Sequence, residues 1–159
     1  MDYKYLRWQV IDSPGVLDKP LEERNAIEMQ AITALAHLQC CVLYFFDVSE
    51  QCGWSLDQQI HLFESLRPLF VNKPLVVVAN KVDVVPLDSL PRGRKEELEA
   101  LAANAGAPLL PMSAMNAVGI TAVKRAACES LLQKRVEQKV CFTCIPRRQS
   151  IVFYAYISI

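Results

Sequence analysis

The sequence predicts an α/β fold in which a mostly parallel sheet carries helices on both faces. Short apolar segments alternate with longer segments whose apolar residues recur with the helical period, a pattern typical of parallel sheets. The short segments are apolar at nearly every position, as expected for strands that are covered on both sides. With 159 residues, of which 52% are hydrophobic, the chain is long enough for one domain with a buried core.

The predicted strands are short segments rich in β-branched, aromatic and other apolar residues. They are Leu6–Ile11, Cys41–Phe46, Leu75–Ala79 and Leu109–Met112. Polar motifs directly follow three of them, at positions 12–15, 80–83 and 113–115.

The first two predicted helices have recognisable ends. One begins at Pro20, whose missing N–H costs nothing in a first turn, and its apolar face extends to Leu38. The next has Ser55 and Gln58 at the spacing of a capping box and stops before Pro68.

Two further helices are predicted in the second half of the chain. An apolar stripe from Leu98 to Ala105 is followed by Gly106, which is well placed to end that helix. The last helix starts at Ile120 and continues into the charged segment Lys134–Lys139.

Charge and cysteine content exclude several classes of function. The 17 basic and 17 acidic residues cancel, so no overall attraction to nucleic acid or to an anionic membrane is expected. No apolar run approaches the roughly 20 residues that cross a bilayer. The sequence shows no signal peptide, so the six cysteines are expected to be reduced thiols. Cys141 and Cys144 have no further ligands nearby, which argues against structural zinc.

Asp12-Ser13-Pro14-Gly15 follows the first predicted strand. A carboxylate at the carboxyl end of a parallel strand lies where open α/β sheets bind ligands, and there Asp12 can hold Mg²⁺ through water. Gly15 leaves its backbone N–H open to a γ-phosphate. The alternative is an ordinary turn at the end of a strand.

Asn80-Lys81-Val82-Asp83 follows the third predicted strand. The two carboxylate oxygens of Asp83 only accept hydrogen bonds, and they match the paired N–H donors on the Watson–Crick edge of guanine. Asn80 can tie the base to neighbouring loops, and the stem of Lys81 can lie over its ring. The alternative is a solvated turn.

Ser113-Ala114-Met115 follows the last of these strands. The backbone N–H of Ala114 can meet the guanine carbonyl oxygen, and its small side chain lets the base approach. Each motif alone is a weak signal. Their order along the chain is the one that a GTP-binding domain requires.

The chain also resembles the nucleolar GTP-binding protein (Nog) family, in the Obg-like branch of the translation-factor-related GTPases. The resemblance covers roughly residues 1–139 and weakens between 84 and 111. It is carried by the segments Trp8–Asp18, Pro20–Asn25, Ile27–Leu38, Asp47–Gly53, Arg67–Phe70 and Asn72–Leu75.

The resemblance implies a partial Ras-like P-loop GTPase fold, binding of GTP or GDP with Mg²⁺, and a place in the nucleolus or nucleus. It also implies a role in biogenesis of the large ribosomal subunit, with ribosomal RNA and proteins of the pre-60S particle as partners. No membrane partner is expected. Its implied nucleotide-binding residues are Asp12, Gly15, Asn80, Lys81, Asp83, Ser113 and Ala114, with Asp12 as the metal ligand.

The sequence departs from that family in its phosphate-binding elements. None of its five glycines belongs to a Gly-x-x-x-x-Gly-Lys-Ser/Thr loop, so we expect weak or lost nucleotide binding. The family's loop lies upstream of the residues that match Met1, and we therefore expect a truncated domain. Val16 stands where many small GTPases have the glutamine that orients water, so hydrolysis is expected to be impaired and no catalytic residue is assigned.

The truncation predicts that the first two strands of the Ras-like sheet are missing and that stability is reduced. We divide the chain into a truncated GTPase domain, residues 1–139, and a divergent tail, residues 140–159. The apolar tail segment Ile151–Ile159 is a candidate to fill the gap left by the first strand, and it is either a genuine strand or an aberrant end. Two other functions stay open: a nucleotide-free interaction module in pre-ribosomes, and a non-functional truncated product.

Overall fold

The computed structural model describes residues 2–3, 6–12, 40–141 and 151–157, together with the single residues 26, 33 and 37. The helix predicted from Pro20 to Leu38 therefore lies outside the described residues, apart from Ala26, Thr33 and His37, which are helical. The predicted turn with Gly15 and Val16 lies outside them as well.

The described strands form one six-stranded sheet in the order β1-β2-β6-β3-β4-β5. They are β1 Asp2–Tyr3, β2 Leu6–Asp12, β3 Cys40–Asp47, β4 Leu75–Asn80, β5 Leu109–Pro111 and β6 Ile151–Ile157. β1 runs antiparallel to β2, and every other pair is parallel. The predicted strands are confirmed as β2 to β5, with ends that differ from the prediction by at most one residue.

β6 lies between β2 and β3 and pairs with both. Phe153 stands opposite Val10 of β2 on one side and opposite Cys41 of β3 on the other. The prediction that the apolar tail fills the gap in the sheet is thus confirmed. A sequence that is apolar at almost every position, as this segment is, is typical of an inner strand of a parallel sheet.

Three α-helices are described: α1 Leu56–Leu66, α2 Arg94–Asn104 and α3 Ile120–Cys141. Two short 3₁₀ helices, Arg67–Phe70 and Leu87–Ser89, lie in the connections. None of the described helices combines the length and the apolar composition that a bilayer crossing requires.

The start of α1 is the capping box that the sequence predicts. The Ser55 hydroxyl accepts from the Gln58 N–H at 3.3 Å, and the Gln58 side-chain oxygen accepts from the Ser55 N–H at 3.0 Å. Both donors would otherwise lack a partner within the helix. Pro68 lies in the 3₁₀ turn that follows α1.

Alternate residues of β3 enter two different cores. Tyr44 and Phe46 face α1, where the rings of Tyr44 and Phe63 meet edge to face with centroids 4.8 Å apart. Leu43 faces the opposite side and joins the cluster that contains Val123 and other residues of α3. Helices therefore cover both faces of the sheet at β3 and β4, as predicted.

Candidate nucleotide-binding site

The parallel strands bring three polar segments to one edge of the sheet. β3 ends at Asp47, β4 ends at Asn80, and β5 leads into Ser113. Asp47 and Asn80 are direct partners across the two strands. Ligands of open α/β sheets bind at this carboxyl edge, because the loops that leave it are free to surround them.

The segment after β4 forms a tight turn centred on Lys81. Lys81 has a φ of 62°, which is uncommon for a residue with a side chain. Its carbonyl oxygen accepts from the N–H groups of Val84 and Val85 at 3.0 and 3.2 Å. The turn places Asp83 at the surface, where its carboxylate is exposed.

Backbone hydrogen bonds join this turn to the loop after β5. The Val82 N–H donates to the carbonyl of Met112 at 3.3 Å, and the Met112 N–H donates to the carbonyl of Ala79 at 2.8 Å. The two loops that the sequence assigns to the base, those of Asp83 and Ala114, are therefore held side by side.

Ser113 stabilises the loop after β5 through its hydrogen bonds. It is fully buried, its hydroxyl accepts from the Asn116 N–H at 3.1 Å, and its own N–H donates to the carbonyl of Val118 at 3.0 Å. This turn leaves Ala114 exposed. Ser113 thus acts here as a structural residue that presents the backbone of Ala114.

The side-chain oxygen of Asn80 lacks a partner. Among the described residues it is the one buried side-chain nitrogen or oxygen atom without a hydrogen bond. Leaving a buried acceptor unpaired costs about 1–3 kcal/mol, so native proteins rarely keep one without a purpose. We infer that a ligand or another segment supplies the hydrogen-bond donor for this oxygen.

Asp47 is a site residue that the sequence reasoning missed. It is 5% exposed, and its Oδ2 accepts from the Lys81 ammonium at 2.6 Å. Burial alone raises the pKa of Asp47, but hydrogen bonds from Lys81, Ser49 and Cys52 outweigh burial and hold that pKa below its ordinary value. The available signal was a carboxylate directly after an apolar strand, the same signal that singled out Asp12.

The structure separates Asp12 from the two loops that are predicted to bind the base. Asp12 ends β2 and pairs with Ala155 of β6, so that β6 stands between it and β3. No group of three or more His, Cys, Asp or Glu side chains suited to a metal ion occurs among the described residues. The role of Asp12 as a Mg²⁺ ligand and that of Gly15 at a phosphate stay predictions.

The cysteines in the part of the chain that the structure describes are free thiols. Cys40, Cys41, Cys52 and Cys128 form no disulfide. Burial is the main reason that the pKa of the Cys41 thiol is raised, so this side chain is an uncharged part of the core at neutral pH.

The fold and the joined loops define a class: α/β proteins whose ligand site lies at the carboxyl edge of a parallel sheet. Comparison with known proteins narrows that class. The family model described as nucleolar GTP-binding protein 1 (NOG1) matches residues 26–83. A crystal structure described as a nucleolar GTP-binding protein 1 from Plasmodium falciparum superposes with a TM-score of 0.75 at 37% identity, covering 89% of this chain and 72% of that one. The chain belongs to the nucleolar GTP-binding protein 1 family.

Longer relatives show the same similarity. The Drosophila melanogaster nucleolar GTP-binding protein 1 is 58% identical over 139 residues, which is 87% of this chain and 21% of the relative. The Saccharomyces cerevisiae protein is 48% identical over 139 residues, which is 87% of this chain and 22% of the relative. The chain thus spans about a fifth of the length of the curated relatives it matches.

Proposed function

We propose that this chain is a part of a nucleolar GTP-binding protein that acts in biogenesis of the large ribosomal subunit. It retains the elements that recognise guanine, and its 159 residues contain no phosphate-binding loop. The observation that carries the proposal is the hydrogen bond from Val82 N–H to the Met112 carbonyl, because it joins the two loops that would contact the base.

Guanine is read by the two joined loops. The exposed carboxylate of Asp83 accepts from the paired N–H groups of the base, which adenine does not offer. The Ala114 N–H donates to the guanine carbonyl oxygen, and the stem of Lys81 lies against the ring. Asn80 connects the base to the surrounding loops. Adenine offers no such donor pair, so bound ATP would displace water from this carboxylate without replacing its hydrogen bonds, and the site disfavours ATP.

The phosphates are held more weakly than the base. Asp12 holds Mg²⁺ through water, and Gly15 offers an N–H to the γ-phosphate. A phosphate-binding loop would add a backbone cradle and a lysine, and without them most of the binding groups for the β- and γ-phosphates are lost. Val16 cannot orient the attacking water, so hydrolysis is slow or requires a partner's groups.

The cellular part of the proposal rests on the family. The relatives from fly and yeast are named nucleolar GTP-binding proteins, which supports a nucleolar location for this chain. Ribosomal RNA and proteins of the pre-60S particle are its proposed partners, and residues 1–139 are its proposed GTPase domain.

Titration with a fluorescent guanine nucleotide tests the guanine site. We expect saturable, Mg²⁺-dependent binding that Asp83→Ala weakens at least tenfold, because a hydrogen bond to a charged group contributes about 1.5–3 kcal/mol and about 1.4 kcal/mol is a factor of ten. Asp88→Ala is the matched control, because Asp88 is also an exposed aspartate of this region but pairs with Lys95 outside the two loops.

Asp83→Asn replaces an acceptor oxygen with an N–H donor, and it should shift preference from guanine toward xanthine nucleotides.

The other outcomes separate the remaining functions. A folded chain that binds no guanine nucleotide would contradict the proposal and favour the nucleotide-free interaction module. A chain that does not fold by itself would favour the non-functional truncated product. Equal effects of Asp83→Ala and Asp88→Ala would show that the binding does not use the predicted loop.

A further inference from the structure

We propose that Asp47 is a positioning residue that fixes Lys81 as the surface on which the guanine base rests. The inference depends on the proposed guanine site and adds residues that the sequence motifs do not contain. Its basis is a chain of contacts that runs from α1 through the end of β3 to the turn after β4.

The first contact in this chain is a side-chain amide that imitates a neighbouring strand. The Gln59 Oε1 accepts from the backbone N–H of Asp47 at 2.8 Å, and the Gln59 Nε2 donates to the backbone carbonyl of Asp47 at 3.1 Å. Gln59 is 1% exposed, and its Nε2 also donates to the carbonyl of Trp54 at 3.1 Å. A buried amide with these partners is fixed, and it fixes the backbone of Asp47 in turn.

The Asp47 carboxylate is held by donors on both oxygens. Oδ1 accepts from the N–H of Ser49 at 3.0 Å and from its hydroxyl at 2.6 Å. Oδ2 accepts from the Cys52 N–H at 2.9 Å and from the Lys81 ammonium at 2.6 Å. With its oxygens so occupied, the carboxylate anchors Lys81 rather than binding a metal ion.

The anchored ammonium determines where the stem of Lys81 lies. Asp47 and Asn80 face each other across β3 and β4, and Lys81 follows Asn80 directly. To reach Asp47 the side chain must cross the carboxyl edge of the sheet between the ends of these two strands. Asp47 also balances the charge of the ammonium, so the stem offers methylene groups to the face of a base.

The contact between Asp47 and Lys81 is internal to the protein and does not depend on a ligand. A free lysine side chain would lose conformational freedom when a base packs on it, and that loss would weaken binding. Here Lys81 is 35% exposed but already held at its far end, so the base meets an ordered surface.

A double-mutant cycle tests the proposal in the full chain with fluorescent GDP and Mg²⁺. Asp47→Asn places an amide against the donors of Lys81 and Cys52, and Lys81→Met keeps the stem but removes the ammonium. We expect Asp47→Asn to raise the Kd about fivefold to tenfold in the wild-type background and less than about twofold in the Lys81→Met background, as for coupled residues. Asp57→Asn is the matched control, since Asp57 pairs with Arg94 at the surface and should leave the Kd within about twofold.

The Kd values in the two backgrounds distinguish positioning from a general structural role, and thermal melts of the same variants check that each chain is folded. A merely structural Asp47 would raise the Kd by the same factor in both backgrounds, and that result would overturn the inference while leaving the guanine site intact. An unchanged Kd for Asp47→Asn in a folded chain would overturn it as well. Absence of guanine-nucleotide binding by the wild-type chain would remove the proposed function and this inference together.

Discussion

Asp47 and Asp83 both lie at the carboxyl edge of the sheet, but they differ in burial and in hydrogen bonding. Asp47 is 5% exposed, and a lysine, a serine and a backbone N–H share its oxygens. Asp83 is exposed on the turn after β4. A carboxylate whose oxygens are occupied within the protein stabilises its surroundings, whereas an exposed one keeps its acceptors for a ligand.

The lowered pKa of Asp47 predicts how stability depends on pH. A lowered pKa in the folded state means that the unfolded chain binds the proton more tightly, so acid favours unfolding. The stabilisation is fully present above the ordinary pKa of 3.8 and is lost as pH falls from there through the folded value.

Acid unfolding of wild type and Asp47→Asn checks this expectation. Near neutral pH, we expect Asp47→Asn to lower the free energy of unfolding by about 1.5–3 kcal/mol, the range for a hydrogen bond to a charged group. The difference between the two proteins should shrink below pH 3.8. A difference that stays constant down to the acid transition would show that Asp47 titrates normally.

Gly119 gives a second prediction at a single residue. Its φ is 76°, and an added Cβ would lie 2.2 Å from the carbonyl oxygen of Pro111. We expect Gly119→Ala to destabilise the loop that presents Ala114 by about 2–4 kcal/mol, through strain and a backbone clash together. Gly53→Ala is the control, since Gly53 has a φ of 86° but open space around its Cβ position. Thermal or denaturant unfolding should rank Gly119→Ala as clearly the worse; equal losses would contradict the clash.

At the scale of elements, local pattern was sufficient for β2 to β5 and for α1 to α3 but not for their contacts. β3 and β4 are apolar throughout and covered on both faces, so their limits could be read from the sequence. β1 has two residues, too few for any period, and was not predicted. The Asp47–Lys81 pair joins positions far apart in the chain, and only the pairing of β3 with β4 brings them together.

The position of β6 predicts that the tail is part of the stable sheet. Its backbone pairs with β2 on one side and β3 on the other, so proline at Val152 would remove a donor inside the sheet. We expect Val152→Pro to destabilise the protein by about 3 kcal/mol or more and to expose strand edges that promote aggregation. Thermal melts and size-exclusion chromatography measure both effects.

A proline outside the sheet provides the control for this change. Val71 is exposed and follows the 3₁₀ helix Arg67–Phe70 with a φ of −54°, a value that proline adopts readily. Phe70 before it is helical, a conformation that a following proline disfavours, so Val71→Pro should cost some stability but clearly less than Val152→Pro, and it should leave the oligomeric state unchanged. Equal behaviour of Val152→Pro and Val71→Pro would show that β6 contributes little to the sheet.

At the scale of the whole molecule, the sheet sets the two loops proposed to bind the base apart from Asp12, the proposed Mg²⁺ ligand. The joined loops lie beyond β4 and β5, whereas Asp12 ends β2 on the far side of β6. The roles of the residues in both places stay predictions. The apolar tail was expected in the gap of the sheet, but its register against β2 and β3 was not, because parallel pairing between distant segments leaves no local pattern.

The central place of β6 also has a consequence for how the protein is made. Trp8 pairs with Ile151, so β2 leaves the ribosome long before its neighbour in the sheet has been synthesised. Pairings between such distant segments form slowly, because a long loop must close before any contact is gained. Until then, the edges of β2 and β3 that face β6 stay unpaired, and we expect a nascent chain in that state to depend on protection of these edges from aggregation.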